Sequence, residues 1–201
     1  SAQFLICTIE GGGGGDWPPS IGGGTPPSTP PPATPCGGDA LVNPTVALSS
    51  KNNKNGGRFG PTRTNPDGSP KMHKGIDLSA VPNTPVYAAF GGEVVRYVSS
   101  YPPTYFASGS FGNLVEIRTT LSDGSTYKTL YGHLNSTSVS VGSTVSAGDQ
   151  IGVSGRTGNA QKVPFPHVHV QIRQNGVLVN PEPFLATKFD SQGNSTGRPC
   201  N

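Results

Sequence analysis

An all-β domain of antiparallel strands is predicted, a sandwich or an incomplete barrel with long loops framing a cleft. Three observations carry this. No segment of a dozen residues shows an apolar stripe at helical spacing. Short runs rich in β-branched and aromatic residues recur instead, with turn signals between them about every ten residues. Glycine (29) and proline (21) are far above ordinary usage in a chain of 201 residues, and a large part of that excess lies in one tract outside the strand-like runs.

That tract sets the domain organisation. Between Gly11 and Gly38, 18 of 28 residues are Gly or Pro, so no apolar periodicity survives. Residues 11–42 therefore read as a linker, with GGGGG flexible and TPPSTPPPATP stiffer and polyproline-like. Residues 1–10 form an N-terminal segment of unassigned role, 43–190 the globular domain and 191–201 a C-terminal tail. The domain is long enough for one core.

Within the domain the strand-like runs follow in order. TPVYAAF (Thr84–Phe90) precedes GGEVVRYV (Gly91–Val98). NLVEIRTT (Asn113–Thr120) leads through the turn LSDG into STYKTLYGHL (Ser125–Leu134). QIGVSG and HVHVQIR follow, and an Asn175–Gly176 turn gives NGVLV. The longest irregular stretches, Ser99–Gly112 and Gly155–Pro166, are the loops expected to frame the cleft.

Charge and cysteine usage exclude several classes. A net charge of +3 is too small to argue for nucleic acid, and no apolar run reaches membrane-spanning length. The first residue is Ser rather than Met, so a trimmed chain is expected, and a larger parent protein or delivery system upstream of residue 1 is an alternative. Cys7, Cys36 and Cys200 all lie outside the presumed domain and form no C-x-x-C pair, which argues against a thiolate metal site. Ile6 is too large to precede a lipid-attachment cysteine. Cys36 and Cys200 flank the domain, and termini often meet in space, so a bridge between them is expected in an oxidising compartment.

The four histidines carry the chemistry. In PFPHVHVQI (Pro164–Ile172) two of them alternate with valine. Residues two apart on a strand share a face, so His167 and His169 project together. His73 and Asp77 lie four apart in MHKGIDLS, with Gly75 arguing against a helix there. His133 stands in LYGHLN. Each motif alone is weak. Together they place four imidazoles and one carboxylate on strand-like segments, and these are donors that suit Zn²⁺. A catalytic zinc keeps three protein ligands and an open position, so five candidates leave two histidines beside the metal for acid–base or oxyanion-stabilising work.

HKGID, YGHL and PHVH, in that order, resemble the lysostaphin/LytM-type zinc metallopeptidases, endopeptidases of bacterial peptidoglycan. RFGPTR (Arg58–Arg63), GIDLSAVPNTPVYAAFGGEVV, FGNLVEI, VSVGSTVSAGDQIGVSGRTG and VNPEPFL also look like family segments in family order. The likeness spans roughly Asn43–Leu185. It implies one zinc per chain on His73, Asp77 and His169, with His133 and His167 as the catalytic histidines. Val168 replaces the leucine usual between the paired histidines and should point away from the metal. The resemblance also implies a secreted, periplasmic or extracellular wall-degrading and antibacterial hydrolase with peptidoglycan as its partner.

Two further residues are expected to bind substrate. Arg63, just before the first ligand, is expected to hold the cleft wall or a substrate carboxylate. Tyr131, two residues before His133, is expected to share its face. Tyr101, Tyr105 and Phe106 are candidates to line the groove. A non-catalytic wall-binding or activator module is the rival class, and the complete set of ligands and histidines argues against it. The Gly11–Gly15 run reads as a tether rather than a strand lying in the cleft, because ordering glycine is entropically costly.

Overall fold

The computed structural model describes residues 57–185 and 188–197. The three cysteines, and with them the expected Cys36–Cys200 bridge, lie outside the described residues, as does the Gly/Pro linker. Described residues form thirteen strands and two short 3₁₀ turns, with no α-helix among them.

In chain order the strands are β1 (Gly60–Thr64), β2 (Pro70–His73), β3 (Ile76–Ser79), β4 (Pro85–Tyr87), β5 (Gly92–Val98), β6 (Asn113–Thr120) and β7 (Thr126–Thr137). Then come β8 (Thr144–Val145), β9 (Gln150–Ser154), β10 (His167–Gln174), β11 (Val177–Val179), β12 (Lys188–Phe189) and β13 (Ser195–Gly197). The main sheet has nine strands and is antiparallel throughout, running β11-β10-β7-β6-β5-β8, with β3 on β10 and β9 bridging β7 and β4. It does not close into a barrel. β1 and β2 form a separate hairpin. β12 and β13 form another, which pairs across the expected boundary at residue 190.

Alternation explains which side of the sheet becomes the core. Val168, Val170 and Ile172 of β10 join Val115, Ile117, Tyr127, Tyr131, Leu134 and Ile151 in one apolar cluster. Val168 thus points away from His167 and His169, as the period-two pattern requires.

The two long loops are tied together and to the sheet. Gly158 N–H donates to Tyr105 O (2.9 Å) and Asn159 N–H to Ser110 O (2.8 Å). Gly158 has φ +72° and approaches the backbone of Ser110 and Gly112 too closely for a β-carbon. Asn113, fully buried at the start of β6, donates through Nδ2 to Tyr101 O (2.9 Å) and Asn135 O (3.0 Å). Its Oδ1 accepts from Tyr101 N–H (3.0 Å). Replacing Asn113 by Ala removes three bonds and leaves buried partners unmatched, so a stability loss of about 2–4 kcal/mol is expected. Urea denaturation measures it, and a loss below about half a kcal/mol would show that this latch holds nothing.

Candidate metal centre

The site lies where β2, β3, β7 and β10 converge. His73 is the last residue of β2, and Asp77 lies in β3 three residues after Lys74. β3 pairs β10 in a register that sets Asp77 opposite His169. Three donor atoms meet as a result. His169 Nδ1 is 2.8 Å from Asp77 Oδ1, and His73 Nε2 is 3.2 Å from both Asp77 Oδ1 and His169 Nδ1. All three residues are buried.

Backbone carbonyls set the tautomers. His73 Nδ1 stands 2.8 Å from Arg58 O, His133 Nδ1 2.8 Å from Thr157 O and His167 Nδ1 2.8 Å from Phe165 O. A carbonyl only accepts, so each Nδ1 carries the proton and each Nε2 presents a lone pair. Arg58 is itself fixed by Glu182 and by the Asp190 carbonyl (2.8 Å), which anchors the first ligand to the C-terminal part of the domain.

The electrostatics call for a positive charge. Burial works to raise the Asp77 carboxyl, but the close His169 and His73 rings and the nearby His167 hold it well below the usual carboxylate range. Burial pushes His169 down, against hydrogen bonding to Asp77. A buried carboxylate facing two imidazole nitrogens is satisfied only by a positive charge between them, either a proton on His169 Nδ1 or a cation shared by all three atoms. Within the described residues this is the His/Asp group with donor atoms close enough to share one ion, all lying within 4.8 Å of one another. Two nitrogens and one carboxylate oxygen fit Zn²⁺ and leave a further position open.

His133 reaches this site through a break in strand periodicity. Opposite β6, Gly132 pairs with Leu114 and Leu134 with Asn113, so His133 is an extra residue in β7. Its φ is +65° and its N–H donates to Phe111 O (2.7 Å). This bulge turns the His133 ring into the cleft and returns Leu134 to the core. The shared face expected for Tyr131 and His133 therefore does not hold. Tyr131 is fully buried in the apolar cluster, and its hydroxyl accepts the Ala89 N–H (2.8 Å). The ring centroids of His133 and His167 are 5.1 Å apart, edge to face. Burial, with the nearby His167 and His169, pushes His133 down to about 3, so it is uncharged at neutral pH.

A cleft of about 450 Å³ opens over these groups. Both long loops contribute, through Ser108–Phe111 on one side and Asn159 and Val163 on the other. Arg63 lines it, but its Nη2 donates to Asp77 Oδ2 (2.8 Å). That contact occupies the carboxylate oxygen turned away from the histidines. The loop aromatics expected in the groove pack elsewhere: Tyr101 stacks on Tyr105 at 3.8 Å, and Phe106 receives the Lys162 ammonium at 4.1 Å. Phe111 is the aromatic that reaches the site, stacked on His169 at 5.1 Å. Nothing in its sequence spacing marks it.

Comparison with known proteins agrees with this geometry. The family model described as Peptidase family M23 matches residues 71–181. The chain is 38% identical over 124 residues to the peptidoglycan DD-endopeptidase ShyC of Vibrio cholerae, covering 61% of this chain and 25% of that protein. It is 36% identical over 111 residues to the DD-carboxypeptidase/endopeptidase Mpg of Neisseria gonorrhoeae, covering 55% and 22%. The chain thus spans about a quarter of the length of these curated relatives. Among solved structures, a zinc containing peptidase from Vibrio cholerae aligns with TM-score 0.53 at 25% identity, covering 71% of this chain and 39% of that one. The antimicrobial peptidase lysostaphin of Staphylococcus simulans aligns with TM-score 0.51 at 28% identity, covering 72% and 53%.

Gly75 has a role beyond breaking a helix. A β-carbon there would overlap the backbone carbonyl oxygen of Val170 and stand 2.7 Å from Cε1 and Nε2 of His169, and that Nε2 has no hydrogen-bond partner among the described residues. Gly75→Ala is expected to push β10 away at Val170, displace the His169 ring with it and weaken zinc binding about 10- to 100-fold, the range seen when support around a ligand is lost. Competition against a chromophoric chelator measures this, and unchanged affinity would show that β10 and the ring accommodate the methyl without moving the ligand atom.

Proposed function

Because the chain belongs to peptidase family M23, we propose that it is a zinc-dependent endopeptidase hydrolysing peptide bonds of bacterial peptidoglycan, in stem-peptide cross-links or glycine bridges. The observation that carries this is the convergence of His73, Asp77 and His169 on one point, with the His133 and His167 rings beside it in an open cleft. In this reading His73 Nε2, Asp77 Oδ1 and His169 Nδ1 hold the zinc. When bound, the ion supplies Lewis acidity toward the peptide carbonyl and brings the pKa of water toward neutrality.

The protein's own groups do the rest. His133 and His167 each have Nδ1 tied to a carbonyl, so their Nε2 atoms are the sites that take up and return a proton. One of the two rings accepts the proton of the attacking water at its free Nε2, and the protonated ring then serves the leaving amine. The other ring donates to the carbonyl oxygen as negative charge develops there, which requires a proton on its Nε2 as well as on Nδ1. Phe111, stacked on His169, walls the ligand side of the cleft. The substrate lies outside the cytoplasmic membrane, so the site of action is extracytoplasmic, and secreted, antibacterial use belongs to the same proposal. The greater length of the relatives fits a domain that works within a larger parent protein.

Purified cell walls, incubated with and without chelator, test the activity through the fragments released. His73→Ala, Asp77→Ala and His169→Ala are each expected to lose stoichiometric zinc and all turnover. His133→Ala and His167→Ala are expected to keep zinc and lose activity on the order of a hundredfold or more. Full zinc in the His169→Ala protein would overturn the ligand assignment. Full activity in either of the other two would overturn that residue's role.

A further inference from the structure

The β1–β2 hairpin carries a charge arrangement that the metal chemistry does not use. Arg63 and Lys71 are direct register partners across the two strands. Side chains so paired share a face with β-carbons about 4.5–5.5 Å apart, and like charges there destabilise the pair. Arg63 is compensated, because its guanidinium binds Asp77. Lys71 is not: the ion pairs among the described residues use Arg58, Arg63, Arg96, Arg118 and Lys128, and none reaches Lys71.

Lys71 is exposed and lines the cleft. It lies two residues before the ligand His73 on β2, hence on the same strand face and about 7 Å along it. Lys74 also lines the cleft, so its lining holds three cationic side chains against the single carboxylate of Asp77. A divalent ion in the site adds charge of the same sign.

We propose that Lys71 is the carboxylate-recognition group of the substrate cleft. Its ligand is a cross-linking peptide with a free carboxylate within about two residues of the cleaved bond, given 3.3–3.6 Å per extended residue. A diamino acid cross-link whose second carboxyl is not amidated has this chemistry, whereas a glycine bridge offers no charge at that distance. The inference rests on the endopeptidase reading and selects the substrate class within it. The substrate-carboxylate role expected of Arg63 passes to Lys71, because the Arg63 guanidinium already binds Asp77.

The test compares two purified cross-linked peptide dimers that differ only in whether the diamino acid carboxyl is free or amidated. The wild-type enzyme is expected to favour the free acid about tenfold in kcat/KM, mainly through KM, and to lose that preference at high salt. Lys71→Met should bring the acid-to-amide ratio near one, Lys71→Arg should keep most of it, and Lys71→Glu should invert it. Zinc content and melting temperature confirm that each variant folds, and Lys128→Met, on a strand away from the cleft lining, is the charge control. Equal cleavage of both dimers by the wild type, or a preference that survives Lys71→Met, overturns the carboxylate site alone. Cleavage of a glycine-bridged dimer but of neither diamino acid dimer also overturns the carboxylate site alone, and failure to cut any of the three overturns the endopeptidase reading as well.

Discussion

Three buried lone-pair donors, His73 Nε2, Asp77 Oδ1 and His169 Nδ1, face one another across 2.8–3.2 Å, and this is the constraint the rest of the molecule serves. In the absence of a positive charge they repel, and each has been removed from water. The surrounding fold holds them there regardless. The β3–β10 register places Asp77 against His169, the Arg58 carbonyl turns the His73 ring, and Arg63 takes the outer oxygen of Asp77. Such preorganisation makes metal binding and folding mutually supporting, because the ion relieves repulsion that the native backbone imposes.

The second organising feature is the bulge at His133. A regular β7 would send residue 133 toward the core beside Tyr131. One extra residue at φ +65° turns the ring outward, and the displaced phase is recovered by Leu134. The loop residue Phe111 both accepts the His133 N–H and stacks on His169. The metal-side and proton-transfer sides of the site therefore share one loop, and the Asn113 latch and the Gly158 contact hold it.

The fold was legible because strand alternation and turn residues are local signals. The β10 pattern HVHVQI gave both the core face and the cleft face directly, and the two long irregular stretches did become the cleft walls. The shared face expected for Tyr131 and His133 fails at a bulge, whose one local mark is Gly132, an isolated glycine inside the strand run beside the extra residue. The fit of Gly75 against His169 and the Arg63–Asp77 bond are tertiary contacts between segments 94 and 14 residues apart, and spacing does not encode them. The loop aromatics show the same limit. Tyr101 and Tyr105 satisfy each other, while Phe111, with no distinguishing pattern, reaches the centre. The pairing of Arg63 with Lys71 became visible only once the hairpin register was fixed.

The central claim is that one ion satisfies two imidazoles and one carboxylate while His133 and His167 remain outside its coordination. X-ray absorption at the zinc edge on protein loaded with one equivalent tests this most directly. The account predicts a shell of nitrogen and oxygen at about 2.0–2.1 Å, with multiple scattering from two imidazoles and no sulfur. A sulfur shell near 2.3 Å, or scattering that requires three or four imidazoles, would contradict it.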